Sequence, residues 1–313
     1  MLPLSLLLAV VAPARAAEAP FAYVGAAELR AGTSEAPQAP ASGPGWHLAP
    51  FPYSTGLPLR APVSIRAGYY GESPDAPFRG NILYFEGFAD SMLNHDPLFA
   101  KLSAAGYRVI AFDYMGQGGS GGSMNDTRLV DPVVPGLQVR ALAERVYERF
   151  RRADGPARKV VLGWSTGGLA AYDVAARGGA DAAVLIAPGL CVRSVVKVSV
   201  ETLTHAKPAP AADPHVDPVK PSSPLLAPGF AANMLLAPRI IRGEAMPPGV
   251  KGLVLLAGED HYVDAACIGR ALDERAPSFE RHLYPGAEHE LDNEVPEVAD
   301  DVAARIVDFL SRL

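Results

Sequence analysis

Apolar residues recur along this chain in two spacings. Short unbroken runs, Ile82-Leu83-Tyr84-Phe85, residues 107–112, Val160-Val161-Leu162, Ala182-Ala183-Val184-Leu185-Ile186 and Gly252-Leu253-Val254-Leu255-Leu256, have the pattern of strands covered on both faces. Between them apolar side chains return every three or four positions. Residues 98–105 read as part of a crossover helix, Val139, Leu142, Ala143, Val146 and Phe150 as a second stripe, and Val298, Val302, Ile306 and Leu310 as the stripe of a final helix. Asp154-Gly155-Pro156 stops the second helix before a strand at 159–162, and Val63-Ser64-Ile65-Arg66-Ala67 alternates as a half-exposed strand does. Strands alternating with helices predict an α/β fold, a mostly parallel sheet with helices on both faces.

Two stretches break this rhythm. Residues 17–57 are rich in Ala, Pro and Gly and read as an irregular leader with one candidate strand over 21–29. Residues 189–250 interrupt a core made of 58–188 and 251–313, and their prolines cluster around 207–228. Leu225-Leu226, Phe230, Met234-Leu235-Leu236 and Ile240-Ile241 mark this insertion as a lid, with most of those side chains expected to pack it onto the core. A length of 313 residues with 49% hydrophobic content fits one large domain carrying such an insertion.

The formal net charge of −6 supplies no basic field, which argues against nucleic-acid partners. Residues 1–16 hold an apolar run too short to span a bilayer, then Ala14-Arg15-Ala16 with small residues at cleavage-type positions. This reads as a secretory signal and predicts a periplasmic or secreted protein, although no Lys or Arg precedes the run; a buried N-terminal element is the alternative. Cys191 and Cys267 are the two cysteines, and the sequence leaves open whether they pair or stay as buried thiols.

The chemistry centres on Gly163-Trp164-Ser165-Thr166-Gly167, a serine on a strand-to-helix turn whose flanking glycines remove side chains that would clash. A serine hydroxyl needs a base in reach and a carboxylate to orient that base. Of the five histidines after Ser165, His205 and His215 fall in the insertion, His282 lies inside a strand, and His261 adjoins the acid; His289, in a turn before the last helix, is the candidate base. The loop after strand 252–256 offers Glu259, Asp260 and Asp264. Asp260 is the candidate acid, Asp264 the cap of a helix beginning near Ala265, and Glu259 a solvent-facing residue. The expected oxyanion donors are the amides of Thr166 and of Phe88, the latter in Glu86-Gly87-Phe88.

Over roughly 80–190 and 251–313 the chain resembles the α/β-hydrolases of the monoacylglycerol lipase, lysophospholipase and serine aminopeptidase group. The resemblance rests on Glu86-Gly87-Phe88, the stretch 106–121, Gly163-Trp164-Ser165-Thr166-Gly167-Gly168, Asp260 with Val263-Asp264, and His289-Glu290-Leu291. Glu86 stands where that family usually has His, and Met115 and Gln117 where it has Arg and His. The resemblance implies an enzyme cleaving carboxylic esters of medium or long acyl chains through an acyl-enzyme, with neither metal nor organic cofactor and with transient membrane or micelle contact through the lid. A peptidase holding a substrate ammonium with Asp213, Asp217 or Glu244 is the alternative among enzymes, and a non-catalytic binding protein the alternative outside them. Epoxide hydrolysis and dehalogenation are disfavoured because the elbow carries Ser165 rather than aspartate.

Overall fold

The computed structural model describes residues 45–53, 62–122, 139–193 and 228–313. Their strands are β1 (Gly45–Tyr53), β2 (Val63–Gly71), β3 (Gly80–Phe85), β4 (Tyr107–Phe112), β5 (Lys159–Trp164), β6 (Ala182–Ile186), β7 (Lys251–Ala257) and β8 (Glu280–Tyr284). They form one sheet in the order β1-β2-β4-β3-β5-β6-β7-β8. β2 pairs antiparallel with β1 and with β4, and every pairing from β4 to β8 is parallel. Every residue of β3, β4 and β6 is buried, which is why these segments carry unbroken apolar runs.

Among the described residues six α-helices cover the sheet: α1 (Asp96–Ala104), α2 (Val139–Phe150), α3 (Thr166–Ala176), α4 (Pro228–Ile241), α5 (Ala265–Arg275) and α6 (Pro296–Ser311). The stripe read from sequence is the face α2 buries, through Val139, Leu142, Ala143, Val146 and Tyr147. Likewise α6 buries Val302, Ile306 and Leu310, together with Ala299, Ala303 and Phe309. Asp264 caps α5 as expected, its Oδ1 accepting from the Cys267 amide at 2.9 Å.

The leader needs correction, because its residues 45–53 are not irregular. They are β1, paired along its whole length with β2. Pro50 and Pro52 made the segment look like loop, but an edge strand turns every second amide away from its only partner, and prolines two apart lose nothing there. Phe51 and Tyr53 are buried by this strand, and the Trp46 indole donates to Asp96 Oδ1 at 2.6 Å. Residues 1–16 and the candidate strand 21–29 lie outside the described residues.

The insertion also differs from expectation at both ends. Leu190 and Cys191 are buried, and Val192 bridges Val263 beside the acid loop, so the insertion leaves from the floor of the site. On α4, Ala237 and Ile241 are buried, but Leu235, Leu236 and Ile240 are 39%, 49% and 46% exposed, so these three side chains face solvent instead of the core. Leu225, Leu226 and the Phe230 side chain are outside the described residues, as are His205, His215, Asp213 and Asp217. Cys191 and Cys267 form a disulfide.

Candidate active site

β5 ends at Trp164 and α3 begins at Thr166, which leaves Ser165 alone to reverse the chain at φ 57 and ψ −119. A non-glycine residue holds such angles only where its surroundings over-determine them. Here the Ser165 amide donates to Ile186 O at 2.9 Å, and its carbonyl accepts from Gly189 N at 2.7 Å. The flanking glycines are sterically required: a Cβ at Gly163 would sit 2.2 Å from Gly167 O, and one at Gly167 would sit 2.0 Å from Phe85 O. The turn thus presses against the end of β3.

Loops from the same ends of β7 and β8 bring the remaining groups over this turn. Asp260 Oδ1 accepts from the amides of Tyr262 at 2.7 Å and Val263 at 2.8 Å, which fixes the carboxylate and aims Oδ2 outward. That oxygen lies 2.6 Å from His289 Nδ1, while His289 Nε2 lies 2.8 Å from Ser165 Oγ. A proton held on Nδ1 by Asp260 leaves Nε2 free to accept from the hydroxyl. The imidazole is 8% exposed and packs between the Trp164 ring at 5.2 Å and the Tyr262 ring at 4.9 Å. Trp164 Nε1 also donates to His289 O at 2.9 Å, so the residue before the serine holds the histidine backbone. Ser165, Asp260 and His289 are therefore brought together from three distant parts of the chain.

A family model described as serine aminopeptidase, S33, matches residues 76–225. A monoacylglycerol lipase of Mycolicibacterium smegmatis is 27% identical over 277 residues, 79% of this chain and 94% of the relative. Among solved structures, a soluble variant of monoglyceride lipase from Saccharomyces cerevisiae superposes with a TM-score of 0.63 at 15% identity, over 85% of this chain and 96% of the other. A carboxyl esterase from Bacillus coagulans gives 0.61 at 17% identity, over 85% and 98%. The chain has the α/β-hydrolase fold and is similar to the monoacylglycerol lipases and esterases named here.

In this hydrolase the loop after β3 presses Gly87, the residue before Phe88, against Trp164 of the elbow, since a Cβ at Gly87 would lie 2.1 Å from the Trp164 ring. Two residues that depart from the family pattern meet behind it. The Gln117 amide donates to Glu86 Oε1 at 3.0 Å and to Gly87 O at 3.3 Å, and its Oε1 accepts from Ala89 N at 2.9 Å. Glu86 Oε1 also accepts from Tyr114 N at 2.8 Å. Burial first, then the charge of Asp113, holds the Glu86 carboxyl well above the usual carboxylate range. Asp113 is the neighbouring carboxylate whose charge favours the proton on Glu86. Asp113 in turn accepts from Arg66, from Met92 N at 2.9 Å and from Gly119 N at 2.7 Å. Gly118, at φ +48, gives that carboxylate its room: a Cβ there would lie 2.4 Å from Asp113 Cγ.

A second buried cluster joins the Phe88 loop to the His289 loop. His95 is fully buried, with Nδ1 2.6 Å from Asp292 Oδ2 and Nε2 3.1 Å from Asp90 Oδ2. Burial alone would strip its second proton, but the charges of Asp292 and Asp90 more than offset that and hold its pKa up at about 10. Asn293 Nδ2 reinforces the junction by donating to Asn94 O at 3.1 Å. Sequence reasoning missed His95, Asp90, Asp292 and the contact between Glu86 and Gln117. The available signal was polar side chains in stretches otherwise destined for burial.

Glu244 sits away from this chemistry. Its Oε1 lies 3.8 Å from Arg177 Nη2, at the end of α3 opposite Ser165, and eleven helical residues separate those ends by roughly 16 Å. Among the described residues no group of three or more His, Cys, Asp or Glu is arranged to hold a metal ion.

Proposed function

We propose that this chain is a serine hydrolase of carboxylic esters that acts through an acyl-enzyme. The carrying observation is the unbroken relay from Ser165 Oγ to His289 Nε2 and from His289 Nδ1 to Asp260 Oδ2. Ser165 Oγ attacks the ester carbonyl carbon as its proton passes to His289; the imidazolium then protonates the departing alcohol, leaving an ester on Ser165. Water, deprotonated by the same imidazole, attacks that ester and releases the acid. The amides of Phe88 and Thr166 receive the oxyanion in both halves.

The relatives named as monoacylglycerol lipases favour a monoacylglycerol or another medium-to-long acyl ester as substrate. Leu235, Leu236 and Ile240, exposed on α4, favour transient contact of the insertion with a lipid surface. Residues 1–16 and the Cys191–Cys267 disulfide favour export to a periplasm or beyond the cell. The S33 family description keeps a peptidase as second reading, with Glu244 a weak ammonium acceptor because it is engaged by Arg177.

Labelling with a fluorophosphonate probe, alongside esters of graded acyl length and an aryl amide, tests the proposal. The expected result is one adduct lost in Ser165→Ala, with ester turnover far above amide turnover. An unlabelled wild type, or Ser165→Ala labelled equally, removes the hydrolase reading, and dominant amide turnover turns it into the peptidase.

A further inference from the structure

Oxyanion donors work only if their N–H groups are aimed before the charge develops. The Phe88 N–H belongs to the same peptide unit as the Gly87 carbonyl, and in a trans peptide the two point in opposite directions. Whatever holds the Gly87 carbonyl therefore aims the Phe88 amide. The side chain on that carbonyl is Gln117, which also accepts from Ala89 N and so grips the backbone on either side of Phe88. We propose that Gln117 is a positioning residue for the oxyanion donor, its carboxamide straddling Phe88 and oriented by the buried Glu86.

The orientation of the carboxamide follows from its neighbours. Turned over, it would set its oxygen against Glu86 Oε1 and the Gly87 carbonyl, and its NH2 against the Ala89 N–H; as placed, each atom meets its complement. Ala89 is held at φ 55, which a non-glycine residue adopts only under constraint, and Gln117 supplies a bond to its amide. Gln117 itself is 2% exposed and comes from the turn after β4, where Tyr114 N and Gln117 Nε2 share Glu86 Oε1. Glu86 suits this role when neutral, because a second charge buried there would be repelled by Asp113. Two of the three departures from the family pattern, Glu86 and Gln117, thus form one device, in which an acid and an amide contact each other and the loop.

The inference rests on the ester-hydrolase reading, and its test separates the two. Gln117→Met keeps the volume and removes both grips. Rates of p-nitrophenyl ester hydrolysis, counted per site titrated with fluorophosphonate, are compared with inhibition by an alkyl boronic acid, whose tetrahedral adduct mimics the charged intermediate. The expected result is a kcat lower by about tenfold to a hundredfold at KM within about twofold, with the boronate inhibition constant raised by a similar factor. Glu86→Gln preserves the acceptor and stays within about threefold of wild type, whereas Glu86→Met loses activity in the same transition-state pattern. A boronate constant within twofold of wild type in folded Gln117→Met, or in Glu86→Met should the former not fold, overturns the role of Gln117. A wild type that neither labels nor turns over sinks the hydrolase reading instead.

Discussion

Ser165 shows how far a single residue's conformation is owed to atoms elsewhere. Its positive φ leaves Gly167 so close to β3 that one added methyl would overlap the Phe85 carbonyl, and backbone cannot yield as a flexible side-chain tip can. Gly167→Ala should therefore either lower stability by about 2–4 kcal/mol, the range of an overpacked backbone contact, or open the elbow and abolish turnover. Urea unfolding and fluorophosphonate labelling decide; wild-type stability together with wild-type labelling would refute this account of the turn. Asp260 allows a finer cut. In Asp260→Asn the Tyr262 and Val263 amides keep an oxygen acceptor, but the amide NH2 then faces His289 Nδ1 and favours the tautomer whose Nε2 already carries a proton. We expect kcat to fall by about 10⁴-fold with little change in folding, and a loss under tenfold would place the orienting acid elsewhere. These three side chains were legible in the sequence because chain order and loop position restrict each choice. Glu86 and Gln117 were visible only as oddities, since two substitutions thirty-one positions apart explain one another only once the loop is folded onto the turn.

At the level of elements, the site is a set of loops from one end of the parallel strands, and its precision depends on how those loops are joined. His95 joins two of them. Both its ring nitrogens face carboxylates, so both must carry protons, and a single buried cation sits between Asp90 and Asp292 with the Tyr84, Phe99 and Trp164 rings packed around it. Replacing that cation by a neutral group leaves two buried carboxylates facing each other; His95→Gln should cost about 3–5 kcal/mol of stability. The pH dependence has a definite sign. His95 has a pKa of about 10 when folded against an ordinary value of 6.5, so the folded state binds the extra proton between those limits. Its stabilisation is complete below pH 6.5 and is lost as pH rises through 10. The urea midpoint of the wild type should fall from pH 7 to 10, and this slope should be absent in His95→Gln; parallel slopes would show that the bridge is not charged. Burial pattern made the inner strands legible as elements, since apolar runs leave few alternatives. β1 was not, because Pro50 and Pro52 suppress the strand signal everywhere except at a sheet edge, and edge position is a property of the whole sheet.

For the whole molecule, the point of interest is how a core continuous in space tolerates an insertion between β6 and β7. The chain leaves β6 at Ile186 and is caught at once: Arg193 N donates to Tyr262 O at 2.8 Å, Arg193 Nε to Val263 O at 2.9 Å, and Asp264 N to Cys191 O at 2.9 Å. All of these bonds end on residues 262–264, just past the acid, and the Cys191–Cys267 disulfide locks the same junction across 76 positions of sequence. The base of the insertion and the support of Asp260 are thus one structure. Closing a loop of that length restricts the unfolded chain most, and its loss by reduction or by Cys267→Ser should lower stability by about 2–4 kcal/mol. The folded enzyme should lose far less, because Asp260 keeps its amide donors from Tyr262 and Val263 without the sulfurs. Urea unfolding with and without reductant, read beside kcat per titrated site at low urea, checks both halves of this expectation. A midpoint insensitive to reductant would show that the covalent tie adds nothing to the bonds around it.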